Sequence, residues 1–300
     1  MSRTPIMTLV RAMRVKQWTK NILVFAAFIF ALGDRQQEVG LQAFWIVLLA
    51  AALFCSVSSG VYLLNDVRDV ELDRAHPKKR LRPVAAGELP EKVAVSLAVI
   101  LLGGGLWGAW ELAPPFFRVL AGYVSLQLAY TLFLKRVALV DSFVIATGFV
   151  LRALAGAVVI GVAISPWLLL CTLLLALFLA LCKRRHEKVA LEGQTGATRH
   201  SLDQYDARLL DQLIAVVSSA TLVCYALYTL WPDTVQKFGT TRLGFTIPFV
   251  IFGLFRYLDL VYRHEKGDRP EQILLTDPPL LVNIFLYAIT VLLILVWSHA

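Results

Sequence analysis

The chain has 300 residues, 58% of them hydrophobic and 17% charged, with a mean hydropathy of +0.68 and a formal net charge of +8. Soluble domains carry about 25% charged residues, so this composition excludes an ordinary soluble fold and describes a membrane protein. Nothing in it points to a nucleic-acid site or an organic cofactor.

Apolar residues fall into blocks of the length that a helix needs to cross a hydrocarbon core of about 30 Å. In chain order the predicted spans are 20–33, 41–64, 93–112, 116–134, 139–162, 165–182, 210–231, 244–262 and 279–297, nine in all, the first being the shortest. The expected fold is therefore all-α, a single polytopic membrane domain over 1–300. The first twenty residues hold Arg3, Arg11, Arg14, Lys16 and Lys20 but no apolar core ahead of a small-residue cleavage site. The first span is thus expected to act as its own insertion signal. Cys55, Cys171, Cys182 and Cys224 lie in or at the end of apolar spans without CxxC spacing, and are expected to be packing residues, with no disulfide framework or zinc site.

Positive residues divide sharply between alternate loops. They crowd the N-terminus, residues 68–92, the Lys135 and Arg136 pair, the stretch from Lys183 to Arg208, and the loop from Arg256 to Arg269. The other loops hold only Arg35, Arg118, Lys237 and Arg242, and Arg152 lies inside a span. By the positive-inside rule the N-terminus and the basic loops are cytoplasmic and the C-terminus is outside. Topogenesis and attraction to anionic lipid account for basic loops, but not for the acids among them.

Those acids open "NDVRDVELDRAHPKKRLRP", residues 65–83. Asn65, Asp69 and Asp73 are four apart, so a helix continuing through them would place them on one face, about 6 Å apart along the axis. Carboxylates so close repel unless a cation lies between them. Magnesium is a hard ion that takes one or two carboxylates and completes its shell with water and substrate phosphates. Downstream, Arg74, Lys78, Lys79, Arg80 and Arg82 suit phosphate oxygens. The stretch suggests a magnesium-bound diphosphate, while a solvated network of ion pairs spaced i,i+4 is the rival reading of the same spacing.

The run "NDVRDVELDRAHPKKRLRPVAAG" resembles the first aspartate-rich motif, NDxxDxxxD, of the UbiA superfamily of intramembrane prenyltransferases. The resemblance implies a bundle of nine transmembrane helices with a cytoplasm-facing active-site chamber. It assigns magnesium and diphosphate binding to Asn65, Asp69 and Asp73, with Asp66 nearby. A second motif of that superfamily, DxxxD, follows the sixth helix. This chain instead reads "LCKRRHEKVALEG", with Lys183 and Glu187 in the places of the two aspartates and Arg184, Arg185 and His186 between them. Exchanging an acid for a lysine removes a metal ligand and adds a phosphate ligand. The departure is similar to one branch of the superfamily, the decaprenyl-phosphate phosphoribosyltransferases, and "RVKQWTKN" (14–21), "YTLFLKRVALVDSFVIATGFVLRALAG" (130–156), "IPFVIFGLFRYLDLV" (247–261) and "PEQILLTDPPLL" (270–281) agree with it. The implied substrates are phosphoribosyl pyrophosphate (PRPP) and a polyprenyl, in that branch decaprenyl, phosphate, in a bacterial inner membrane. A role in making the arabinose donor for cell-wall arabinan is implied by the same resemblance.

The other charges are read against that site. Arg152 lies about mid-span, where an ionisable residue is expensive and usually functional or paired. It is either a phosphate ligand or half of an ion pair with Asp141 or another acid. Lys135 and Tyr130 flank the fourth loop as ligands or as topology and interfacial anchors. Asp141 could meet ribose hydroxyls or orient a cation. Lys16, Trp18, Lys20 and Asn21 form an interfacial belt or meet the acceptor phosphate. Arg256 and Asp259, one turn apart, read as a structural pair, and Gly103 to Gly105 as close helix packing. The candidate phosphate ligands are Arg74, Lys78, Arg82, Lys135, Arg152, Lys183, Arg184 and Arg185, beside membrane lipid as solvent. Two other functions fit less well: prenyl transfer to an aromatic acceptor, which predicts a second acidic motif, and anionic-solute transport, which needs no Asp69 or magnesium. The sequence leaves open whether the chain acts alone or as a homo-oligomer.

Overall fold

The computed structural model of the chain describes residues 5–34, 37, 39–191, 205–263, 273 and 276–299. All regular structure among them is helical. The order is α1 (Pro5–Ala12), a 3-10 helix (Val15–Phe25), α2 (Ala26–Leu32), α3 (Leu41–Arg68), α4 (Val70–Ala75), a 3-10 turn (Lys79–Leu81), α5 (Glu91–Leu112) and α6 (Pro114–Leu132). A turn at Leu134–Arg136 leads to α7 (Val140–Ile160), α8 (Pro166–Leu191), α9 (Ala207–Leu230), α10 (Pro232–Phe238), a 3-10 turn (Arg242–Thr246), α11 (Ile247–Arg263) and α12 (Pro278–His299).

Among the described residues, eight helical stretches are long and apolar enough to cross a membrane: Val15–Leu32, Leu41–Arg68, Glu91–Leu112, Val140–Ile160, Pro166–Val189, Ala207–Leu230, Arg242–Arg263 and Pro278–Trp297. Each falls on a predicted span. The 19-residue α6 occupies the remaining one, but Arg118, Gln127 and its leading prolines make it less apolar than the other eight. Three boundaries differ from expectation. The first span begins at Val15, because the polar residues 15–20 are wound into a 3-10 helix instead of preceding the span. Helix α3 continues to Arg68 and takes Asn65 and Asp66 inside it. Helix α8 continues to Leu191, so "CKRRHE", expected in a loop, is helical. Lys, Arg and Glu are good helix formers, and Arg184 pairs with Glu187 one turn on, so the charges extend the helix. Arg199, Lys266, Arg269 and most of 270–275 lie outside the described residues.

The chain packs as two compact units. The first comprises Met1–Ile29, Val39–Lys135 and Leu151–Ala163. Its main core is built from Val47, Ala50, Phe54 and Val57 of α3 with Phe116, Leu120 and Tyr123 of α6. A smaller cluster, Leu63, Val70, Val84, Leu89, Ala94 and Ala98, lies under the acid motif. Helices α3 and α5 approach closely on small residues. A Cβ at Gly105 would stand 2.5 Å from Val57 Cγ2, and one at Gly60 2.8 Å from Leu102 Cγ. Gly103 and Gly104 have open space instead, so one glycine of the triplet is the packing residue expected. Gly156 of α7 packs directly against the carbonyl of Val24.

The second unit comprises Phe30–Glu38, Arg136–Val150 and Ile164–Ala300. Phe178 and Leu181 of α8, Leu210 and Ile214 of α9, and Tyr257 and Leu260 of α11 form its core. Arg256 pairs with Asp259 at 2.9 Å, as its spacing suggested, and also with Asp277 at 2.9 Å. The Sγ atoms of Cys171 and Cys224 lie 3.4 Å apart as free thiols.

Candidate functional site

In the first unit the end of α3 and the short α4 carry the acids. Asp69 joins the two helices at φ −94°, ψ 12°, and backbone bonds from Asp69 N–H to Asn65 C=O (3.0 Å) and from Asp73 N–H to Asp69 C=O (2.8 Å) keep the helical path almost continuous. The side chains nevertheless part company. Asp66 and Asp73 are buried, at 2% and 3% exposure, and point to the same guanidinium: Arg82 Nη1 donates to Asp66 Oδ1 at 3.1 Å and to Asp73 Oδ2 at 2.6 Å. Asp66 Oδ1 also accepts from Arg14 Nη2. Asp69 receives Lys135 Nζ on both oxygens, at 2.5 and 2.7 Å. Three acids are thus matched by three cations.

Of the expected trio, Asp69 and Asp73 meet different cations, Lys135 and Arg82, and among the described residues no three His, Cys, Asp or Glu side chains gather as a metal-binding group. The reason is the seven-residue spacing of Asp66 and Asp73, two turns of helix, which brings those two into line at Arg82. Two buried carboxylates converging on one cation make the hard oxygen donor set that magnesium accepts, with water and phosphate completing its shell. The residues therefore fit the metal, with Asp66 and Asp73 as the convergent pair.

The loop after α4 supplies the bases. The ring of His76 accepts the N–H groups of Lys78 (3.2 Å) and Lys79 (3.3 Å) at Nδ1, folding the turn that leads to Arg82. Burial first, and then the charge of Lys79, holds the His76 pKa below its usual value. Lys78 is exposed, as is Arg74, which pairs with Glu71 at 2.7 Å. Lys20, on the 3-10 helix, and Tyr130, in the last turns of α6, are half-buried.

Deeper in the same unit Arg152 is 4% exposed. Its Nε donates to Asn21 Oδ1 at 2.8 Å and its Nη2 to Tyr123 OH at 3.0 Å, while the guanidinium carbon lies 5.2 Å from the Phe54 ring centre and 4.9 Å from that of Tyr123. Neutral dipoles and aromatic faces accommodate this charge within the span.

Asp141, the acid weighed as a partner for Arg152, belongs to the second unit and pairs there with Arg184 at 2.8 Å. Both are almost wholly buried, at 0% and 2%. Arg184 is also paired with Glu187. Tyr205 OH donates to Asp141 Oδ1 at 2.9 Å and accepts the N–H of Leu139 at 2.6 Å, and burial raises the Tyr205 pKa. Arg185 pairs with Asp211 at 2.5 Å and lies 3.8 Å from the Tyr262 ring centre, whereas Lys183 is half-buried. Arg184 and Arg185 are thus held by acids of their own unit.

Sequence reasoning missed Arg14, Asn21 and Tyr123 as partners, and likewise Tyr205 and Asp211. Arg14 and Asp66 are 52 positions apart, and Asn21 and Arg152 are 131 apart, so no local spacing connects them.

A family model described as the UbiA prenyltransferase family matches residues 22–276. A Mycobacterium tuberculosis (strain CDC 1551 / Oshkosh) protein named decaprenyl-phosphate phosphoribosyltransferase is 38% identical over 268 residues, covering 89% of this chain and 87% of that protein. A Corynebacterium glutamicum protein of the same name is 35% identical over 284 residues, covering 91% and 82%. The solved structure of a UbiA homolog from Archaeoglobus fulgidus bound to DMAPP and Mg2+ shares the fold, with a TM-score of 0.71 at 17% identity over 96% of this chain and 99% of that one. An all-helical, membrane-spanning chain with this acid motif, matched by the family model over most of its length, belongs to the UbiA prenyltransferase family.

Proposed function

We propose that the chain is a transferase that moves 5-phosphoribose from PRPP to a polyprenyl phosphate of the decaprenyl type, releasing pyrophosphate. The observation that carries this reading is the 35–38% identity, over about nine-tenths of the chain, to relatives named decaprenyl-phosphate phosphoribosyltransferase. The basic "CKRRHE" in place of a second acidic motif supports it. In this reading the chain crosses a bacterial inner membrane nine times, α6 included, with its N-terminus and active-site chamber cytoplasmic and its C-terminus outside.

The reaction breaks the ribose C1 bond to the pyrophosphate oxygen and forms a C1 bond to an acceptor phosphate oxygen, through a transition state of oxocarbenium character. Asp66 and Asp73 would hold magnesium, with Asn65 and Asp69 of the same motif as further oxygen donors. The metal, when bound, supplies charge that offsets the negative charge growing on the leaving pyrophosphate. Arg82 and Lys135, each already on an acid of the motif, bind phosphate oxygens, and exposed Arg74 and Lys78 extend that cationic surface. The acceptor phosphate is an anion at neutral pH and needs positioning more than a general base. Arg184 is locked by Asp141 and Glu187, and Arg152 by Asn21 and Tyr123. Both act in this reading by shaping their surroundings, as does Arg185 on Asp211, and Lys183 is left as the phosphate-ligand candidate on α8.

The test mixes purified protein in detergent with ribose-labelled PRPP, Mg2+ and polyprenyl phosphate, and extracts the lipid. Label in the lipid phase, lost on chelation and in Asp73→Ala, is expected. Label that stays aqueous, while labelled prenyl diphosphate yields a lipid product, would show prenyl transfer instead.

A further inference from the structure

The proposed transfer uses no thiol, yet two of the chain's four cysteines meet each other. Cys171 lies on α8 and Cys224 on α9, 53 positions apart, and their Sγ atoms stand 3.4 Å from one another. The other two are placed differently. Cys55, in the first unit, accepts a hydrogen bond from Asn21 Nδ2 at 3.1 Å, and Cys182 is wholly buried beside the basic end of α8. A thiol is a weak donor and a weak acceptor, so the reduced contact adds little beyond packing. A disulfide has its sulfurs about 2.05 Å apart, so closing the bond asks the two side chains to approach by roughly 1.4 Å.

The pair sits near one end of both helices. Cys171 is in the second turn after Pro166 and Cys224 in the second turn before Leu230, each roughly 8 Å inside its helix end. Trp167 and Trp231 mark those ends, with ring centres 5.1 Å apart, and tryptophan is enriched where a span meets water. The basic run Lys183 to Arg185 lies about 18 Å further along α8. On the topology proposed above, the dithiol is therefore on the extracytoplasmic side, where disulfides form and persist. Cys171 is half-buried and Cys224 is 5% exposed, so one sulfur is open to a reagent and the other is held behind it.

We propose that Cys171 and Cys224 are an oxidative modification site, closed to an intramolecular disulfide by an organic disulfide acting from the extracytoplasmic side. Cys171 loses its proton and attacks one sulfur of the oxidant, which forms a mixed disulfide and expels one thiolate. Cys224 loses its proton and attacks Cys171 Sγ, which forms the bond between the two cysteines and expels the second thiolate. Two protons and two electrons thus pass from the pair to the oxidant, which leaves as two thiols. The bond staples α8 to α9 at the end opposite Arg185 and Asp211, whose 2.5 Å ion pair already joins the same two helices.

The experiment incubates the reduced, full-length chain in detergent with oxidised glutathione, then denatures it, counts the remaining thiols with a maleimide and maps linked peptides by mass spectrometry. Two of the four thiols are expected to be lost, with one peptide pair joining Cys171 to Cys224. Thermal unfolding of the oxidised chain is expected about 5 °C higher, a gain that dithiothreitol reverses. Cys224→Ser is expected to stop at glutathione on Cys171 and to show no such gain. Four free thiols after oxidation, a parent chain that stops at glutathione on Cys171, or a linked chain that unfolds no higher than the reduced one each overturns the proposal, whether or not the variant folds. In sealed right-side-out membrane vesicles, oxidised glutathione outside is expected to give the same linkage. Linkage in neither right-side-out nor inverted vesicles overturns the proposal, whereas linkage in inverted vesicles alone overturns the topology and the side of oxidation with it.

Discussion

Asp66 and Asp73 share a single nitrogen of Arg82, although the four-residue spacing of the motif pairs Asp73 with Asp69 instead. This shared contact makes Arg82 the keystone of the motif: it offsets two buried carboxylates that would otherwise repel. Arg82→Ala is expected to destabilise the chain by about 2–3 kcal/mol, below the range for fully buried pairs because Arg82 is 26% exposed. Adding Asp73→Asn should recover part of that loss by removing one of the like charges. Thermal unfolding in detergent of the single and double variants measures both effects, and additive losses would contradict the shared contact.

Arg152 and its neutral partners make a different prediction. Arg152→Lys keeps the charge, yet an ammonium cannot bond Asn21 and Tyr123 from a planar fork while stacking on Phe54 and Tyr123. The expected loss is about 1–3 kcal/mol, with Asn21→Ala giving a smaller loss that is not additive to it. If the double variant is as unstable as the sum of the two, the residues are not coupled.

The glycine triplet of α5 separates packing from flexibility. Gly105→Ala forces a methyl against Val57 and is expected to cost about 1–3 kcal/mol. Gly103→Ala meets open space and is expected to be neutral or to gain up to about 1 kcal/mol from helix propensity. Equal melting temperatures for the two variants would argue against the close approach of α3 and α5.

His76 gives the turn after α4 a pH dependence. Its pKa is lower in the folded chain than its ordinary 6.5, so below that pH the unfolded chain binds the proton more readily. Stability from this residue is therefore complete above pH 6.5 and falls as the pH drops towards the folded-state pKa. His76→Asn, which retains an acceptor for the Lys78 and Lys79 N–H groups but does not titrate, should flatten this acid-side slope in unfolding measured across pH. An unchanged slope would assign the effect to other groups.

The helices, their approximate limits and the basic and acidic character of residues 65–82 were legible in the chain alone, because hydrophobic run length and short-range charge spacing are local properties. So was the family, carried by a contiguous motif. Local propensity was less informative where polar residues continue a helix, which is why α3 and α8 run past their apolar stretches. Which acid meets which cation was decided only by tertiary structure. Lys135 reaches Asp69 across 66 positions, Tyr205 reaches Asp141 across 64, and Arg14 reaches Asp66 across 52. Periodicity dictates the face on which a residue sits on its own helix, but its partner depends on how neighbouring helices pack and where their turns aim a side chain. Hence the sequence by itself placed acids and bases together at a membrane boundary, and the folded chain alone paired Asp66 with Asp73 through Arg82 and brought Arg14 to them.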